Sequence, residues 1–107
     1  DCFLLMDEYH QQTIIAKKRA MKEVLQELAE LGVVNVLLEG GGRLLGEAFA
    51  DGLVNEVAFF HAPCVLGQGA NGVELPSTKP LPQRVGIKLV EAQSLGADWF
   101  FRGLVEK

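Results

Sequence analysis

One stretch, residues 33–47, constrains the fold more than any other part of the chain. It is an apolar run that stops at a carboxylate, passes three glycines and resumes with helical spacing. Five of the six residues in 33–38 are Val or Leu, a pattern typical of a parallel strand that is covered on both faces. We therefore expect a strand at Val33–Leu38, a tight turn and a helix at Arg43–Ala50.

The turn, Gly40–Gly42, is here called the glycine corner, and its composition suits a phosphate. Glycine permits positive φ and close approach of a ligand, and the first N–H groups of the next helix have no internal partner. Arg43 could pair with the same phosphate or be an ordinary exposed helix arginine. The alternative is a tight strand-to-helix connection without a ligand. A Rossmann dinucleotide fold is disfavoured because the next apolar run, Val57–Phe60, begins too soon.

Glu39 is expected at the carboxyl end of the predicted strand, directly before the glycine corner. A carboxylate in this position can bind a sugar hydroxyl or an amine. It can equally accept hydrogen bonds from the start of the helix without any ligand. The residues alone leave both interpretations open.

Apolar spacing predicts the remaining elements. Met21, Val24, Leu25, Leu28 and Leu31 form the stripe of an amphipathic helix that Gly32 ends. The predicted strands are Cys2–Met6, Thr13–Ala16, Glu56–Ala62, Val85–Ser94 and Asp98–Val105, and the last two form a hairpin. Strand Glu56–Ala62 is apolar on both faces, so we expect it in the middle of the sheet. The predicted architecture is an α/β domain with a mixed, mainly parallel sheet, flanking helices and a carboxyl-terminal antiparallel hairpin.

Composition narrows the class of function. The 107 residues suit a single domain, 1–107, without a membrane span, and a net charge of −4 disfavours nucleic acid as a partner. Cys2 and Cys64 lack co-ligands, so no metal site is predicted, and we expect them to be buried thiols of a cytoplasmic protein.

His61 lies on a predicted core strand and is interpreted as a hydrogen-bonded structural histidine. Without a nucleophile or metal set, the chain suits hydride transfer, in which a cofactor carries the chemistry.

Three motifs in order, Leu37–Leu44, Gly52–Val57 and Ala62–Gly67, resemble the riboflavin-biosynthesis reductase domain, which is the carboxyl-terminal domain of the bifunctional deaminase–reductase. The run Leu95–Phe101 resembles that family's closing hairpin. The resemblance implies a dihydrofolate-reductase-like sheet, NADPH as cofactor and commonly a homodimer. It also implies reduction of the ribosyl group of a phosphorylated pyrimidine substrate to a ribityl chain.

By motif position, the resemblance makes Glu39 a substrate-binding residue and assigns no catalytic residue. The implied cofactor-binding residues are Gly41, Gly42, Arg43, Leu44, Leu45, Gly46 and Glu47. The match covers most of this chain but only the later half of the family's domain. The rival hypothesis is therefore a non-catalytic nucleotide-binding or assembly fragment, inactive without the first half. Sheet edges left without neighbours predict self-association, with Trp99, Phe100 and Phe101 as anchors.

Overall fold

The structure, a computed structural model, describes residues 20–77 and 84–107. The elements in chain order are α1 (Met21–Glu30), α2 (Gly42–Ala50), β1 (Glu56–His61), β2 (Ile87–Leu95) and β3 (Asp98–Val105). The chain divides into two compact units, Asp1–Asn35 and Val36–Lys107. The predicted strands Cys2–Met6 and Thr13–Ala16 lie outside the described residues. Within those residues, no helix has the length and apolarity needed to cross a membrane.

Helix α1 confirms the amphipathic helix expected from the apolar stripe. Gly32 follows it with φ 89°, and its N–H donates to the carbonyl of Ala29. The N–H of Val33 donates to the carbonyl of Leu28, 3.0 Å away. This pair of bonds is the Schellman ending, which needs a left-handed residue and therefore favours glycine at position 32.

Helix α2 begins one residue earlier than expected and ends at the predicted residue, Ala50. Its end repeats the Schellman pattern, with Gly52 at φ 67° donating to Phe49 and Leu53 donating to Ala48. Two residues of α2, Gly46 and Ala48, are buried. Because these residues are two positions apart on a helix with 3.6 residues per turn, they lie on nearly opposite sides, and α2 is therefore covered by protein on more than one side.

The sheet has the order β1-β3-β2, and both pairings are antiparallel. The β2–β3 hairpin predicted from the sequence is confirmed, with Gly96 at φ 61° in its turn and an irregularity between Leu89 and Glu91. Strand β1 ends at His61, one residue before the predicted end, and it lies at an edge of the described sheet rather than in the middle. Two facing aromatic pairs, Phe59–Phe101 and Phe60–Phe100, join β1 to β3 across the ladder.

The predicted strand Val33–Leu38 is wrong for the described chain, because residues 33–41 have no regular secondary structure. Val34 and Leu37 are 90% and 81% exposed, so these apolar side chains are not covered on both faces. A strand exists only when a neighbour satisfies its N–H and C=O groups, and no described segment pairs with this run. The mainly parallel sheet is accordingly not confirmed.

Candidate functional site

The glycine corner leads directly into α2. Gly41 is the N-cap residue, with φ −74° and ψ 167°, and the first helical bond runs from the Leu45 N–H to the Gly41 carbonyl at 3.2 Å. The N–H groups of Gly42, Arg43 and Leu44 consequently have no acceptor within the helix. They carry the partial positive charge of the helix start, which attracts an anion such as phosphate.

The three glycines of the corner differ in their surroundings. A Cβ at Gly41 would have no other atom within 4 Å, whereas a Cβ at Gly40 would meet the side chain of Leu44. A Cβ at Gly42 would overlap the backbone carbonyl oxygen of Asn71. None of the three has a positive φ, so the left-handed backbone that glycine permits is not the reason for glycine here. Gly41 alone opens onto free space.

Arg43 lies in the first turn of α2 with its side chain 89% exposed. Its Nε is 3.7 Å from a carboxylate oxygen of Glu74, whose side chain is about half exposed. Surface pairs of this kind typically contribute about 0–1 kcal/mol. The guanidinium is thus held loosely enough to exchange its carboxylate partner for a phosphate.

Glu39 is exposed and lies two residues before the N-cap of α2. No hydrogen bond or ion pair joins its carboxylate to another residue of the described ranges. The alternative in which Glu39 accepts hydrogen bonds from the helix start therefore has no contact to support it. The carboxylate is available to a hydroxyl or amine group from outside the chain.

The other residues assigned to the cofactor differ in accessibility. Leu44 and Glu47 are exposed, Leu45 is half-buried and Gly46 is buried. A Cβ at Gly46 would overlap the carbonyl oxygen of Glu74. Gly46 thus faces protein backbone, while Leu44 and Glu47 face solvent.

Sequence reasoning missed the segment 71–75, which lies in the long irregular stretch after β1. Its Glu74 N–H donates to the carbonyl of Gly42 at 2.8 Å, so the segment is attached to the start of α2. The signal was present in the sequence: Gly42 and Gly46 are four residues apart and share one helix face. Paired glycines at that spacing indicate close approach of another backbone.

Two further predictions concern single side chains beyond the corner. His61 is exposed and stacks on the ring of Phe101, with 5.4 Å between centroids, so the buried, hydrogen-bonded histidine expected here is wrong. Cys64 is an exposed free thiol rather than a buried one, and Cys2 lies outside the described residues. His61 is the last residue of β1 and Cys64 lies in the irregular stretch that follows, and both residues are exposed.

The comparisons with known proteins agree on one family. A family model described as the RibD C-terminal domain matches residues 4–101. The riboflavin biosynthesis protein RibD of Synechocystis sp. is 29% identical over 104 residues, covering 92% of this chain and 27% of its own length. RibD of Aquifex aeolicus is 26% identical over 87 residues, covering 81% of this chain and 24% of its own length.

A solved structure, Acinetobacter baumannii RibD, form 2, superposes with a TM-score of 0.73 at 26% identity, covering 88% of this chain and 27% of that one. The likeness supports a RibD fold of the dihydrofolate-reductase-like type that combines helices with antiparallel strands. The chain spans about a quarter of the length of these relatives.

Proposed function

Because this chain belongs to the RibD C-terminal domain family, we propose that it forms part of an NADPH-dependent reductase of riboflavin biosynthesis. The substrate class is a phosphorylated pyrimidine that carries a ribosylamino group, and the reaction is hydride transfer to that ribosyl group. NADPH supplies the hydride when it is bound. The protein's part is to hold the two reactants in line, which converts a bimolecular step into an effectively unimolecular one.

The observation that carries this proposal is the open side of Gly41 at the start of α2. No other atom lies within 4 Å of a Cβ built there, and the adjoining N–H groups of Gly42 and Arg43 have no helical acceptor. A phosphate of NADPH fits this donor set, because backbone N–H groups and a guanidinium are both phosphate donors. In this arrangement the exposed side chains of Leu44 and Glu47 border the cofactor and Leu45 supports the turn.

Glu39 is the residue we assign to the substrate. Its exposed carboxylate lies just before the glycine corner. It has no hydrogen bond or ion pair with another described residue, so substrate binding would break no such contact. It can accept hydrogen bonds from a ribosyl hydroxyl or from the pyrimidine amine, and such bonds would orient the substrate beside the cofactor. No described side chain is assigned a proton-transfer role. A homodimer and a cytoplasmic location stay predictions.

Replacing Gly41 with Val is the test of this site. The backbone angles of Gly41 are open to any residue and its Cβ meets nothing, so the fold should persist while the branched side chain fills the phosphate position. We expect NADPH binding, followed by calorimetric titration, to be abolished. Gly69→Val is the matched control, because a Cβ at Gly69 also meets nothing. Unchanged NADPH affinity in Gly41→Val, with wild-type circular dichroism, would refute the assignment.

A second candidate is a non-catalytic nucleotide-binding or assembly fragment, and a separate observation favours it. Among the described hydrophobic residues only Ala48 and Val57 are buried, so this part of the chain forms little core. The two candidates differ in turnover. NADPH oxidation in the presence of the ribosylaminopyrimidine substrate should be measured for this chain alone and for the chain joined to the earlier half of a RibD reductase domain. If only the joined protein turns over, the result favours the hypothesis of a non-catalytic fragment. If the chain turns over alone, that hypothesis is excluded.

A further inference from the structure

The segment 71–75 rests on one face of α2. The Glu74 N–H donates to the Gly42 carbonyl at 2.8 Å, which places a loop backbone within hydrogen-bonding distance of a helix backbone. An added Cβ at Gly42 would overlap the Asn71 carbonyl oxygen, and one at Gly46 would overlap that of Glu74. Both obstacles are backbone atoms, which cannot rotate away as the end of a long side chain can.

Glycine at positions 42 and 46 is therefore explained by this contact. Neither residue has a positive φ, so backbone strain does not require glycine at either position. Their spacing of four residues puts them on the same face of α2, where together they leave a shallow channel for the segment. Gly41, by contrast, faces open space. The Cβ direction of Gly41 is thus open to a ligand, whereas those of Gly42 and Gly46 are filled by the backbone of segment 71–75.

The same segment brings a carboxylate to the corner. Glu74 is attached through its backbone to Gly42, and its side chain reaches to within 3.7 Å of the Arg43 Nε. A carboxylate at this position competes with any anion for Arg43 and repels it. The pair is exposed, so it can be exchanged at a small cost.

We propose that Gly42 and Gly46 form a seat for segment 71–75, and that the seated Glu74 weakens the binding of anions at the glycine corner through its ion pair with Arg43. The seat stands on the geometry alone. The role of Glu74 rests on the proposed function, since it concerns the nucleotide phosphate at the same corner. In this arrangement Gly46 is a positioning residue rather than a ligand contact.

The seat is tested by hydrogen exchange of the Glu74 amide, which needs no ligand. Gly46→Ala should displace the segment and increase the exchange rate of this amide about tenfold or more, while amides of β2 and β3 keep their protection. Gly42→Ala provides a second variant at the other end of the seat, because its Cβ would overlap the Asn71 carbonyl oxygen, and the Glu74 amide is read again. Gly41→Ala is the control and should leave exchange unchanged, because its Cβ meets no other atom. Wild-type protection in Gly46→Ala would overturn the seat. If that variant does not fold, wild-type protection of the Glu74 amide in Gly42→Ala would do so.

The role of Glu74 is tested with Glu74→Gln, which keeps the backbone bond and removes the charge. We expect NADPH and inorganic pyrophosphate to bind about two- to fivefold more tightly, the scale of one exposed ion pair. Asp98→Asn, in the β2–β3 hairpin, is the control for the same change in net charge and should bind as wild type. General damage to the fold would lower the affinity for both ligands. A gain in affinity in Glu74→Gln would therefore be due to removal of the negative charge.

The outcomes separate this inference from the proposed function. If the wild-type chain binds NADPH and Glu74→Gln binds it with the same affinity, the role of Glu74 is overturned and the reductase proposal stands. Pyrophosphate that binds more tightly to Glu74→Gln, with no NADPH binding in any variant, supports the role and overturns the reductase proposal. Failure of both ligands to bind wild type or variant overturns both.

Discussion

Arg102 shows how one side chain ties the three strands together. Its Nη1 donates to Glu56 of β1 at 2.9 Å, and its Nε donates to Glu91 of β2 at 3.4 Å. The hydrogen bond to Glu56, followed by that to Glu91, raises the pKa of Arg102 above its ordinary value. A raised folded-state pKa means that the stabilisation is complete below the unfolded pKa and is lost only as pH rises through the folded one. Both values lie far above neutrality, so the charge of Arg102 adds no pH dependence to stability near pH 7.

Replacing Arg102 with Lys tests this geometry at constant charge. A lysine ammonium is one point charge on a flexible stem, so it cannot reproduce the fork that reaches two carboxylates. We expect a small decrease in the urea midpoint, abolished by high salt. Arg84→Lys, at an exposed arginine, is the control and should unfold as wild type. Equal midpoints for the two variants would show that the fork contributes nothing to stability.

Glu39→Gln is the corresponding test at the site. The change keeps size and removes charge, so a hydrogen bond to a charged acceptor becomes a weaker neutral one. In a preparation that oxidises NADPH, kcat/KM for the pyrimidine substrate should fall about tenfold, while the Kd of NADPH stays near wild type. An equal loss for both ligands, or no loss, would remove Glu39 from the substrate site.

At the scale of elements, both described helices end in the same Schellman motif. Gly32 after α1 and Gly52 after α2 both take a left-handed φ, and the N–H groups around them bond the last carbonyls of each helix. Both glycines have open space around a built Cβ, so the requirement for glycine is conformational and not a matter of packing. Gly42 and Gly46 in the seat on α2 are the opposite case, because their φ angles are not positive and a Cβ at either position would overlap backbone atoms.

Gly52→Ala isolates the conformational cost. With no atom within 4 Å of the new Cβ, the expected loss is the left-handed strain of about 1–2 kcal/mol in the free energy of unfolding. Urea denaturation measures it. Gly69→Ala, where φ is not positive and space is also open, should change stability little or increase it slightly. Two equal unfolding curves would contradict the role given to the left-handed residue.

At the scale of the whole molecule, apolar surface exceeds what the described residues cover. Phe60 is 68% exposed and Trp99 is 56% exposed, although both lie on paired strands. In the described sheet β1 and β2 are both edges, each with backbone groups on its outer side unpaired by another described strand. Exposed apolar patches beside open edges promote association with another chain.

We therefore predict that the chain self-associates at micromolar concentration. Trp99 should anchor the interface, with Phe100 and Phe101, and sedimentation velocity should show a dimer or larger species. Trp99→Ser should shift the distribution toward monomer. Lys88→Ser serves as the control, because it changes an exposed polar residue of β2. A single monomeric species for the wild-type chain would contradict the prediction.

Local sequence determined the features that depend on near neighbours. The α1 stripe, the glycines after each helix, the start of α2 at the glycine corner and the β2–β3 hairpin were all predictable, because each is stabilised by bonds over at most a few residues or by a tight turn. Tertiary structure decided what depends on distant partners. The run Val33–Leu38 has strand composition but no described neighbour to pair with, since a ladder is a property of two segments. Likewise, the docking of segment 71–75 on Gly42 and Gly46 depends on a contact about 30 residues away, which spacing alone suggests but cannot place.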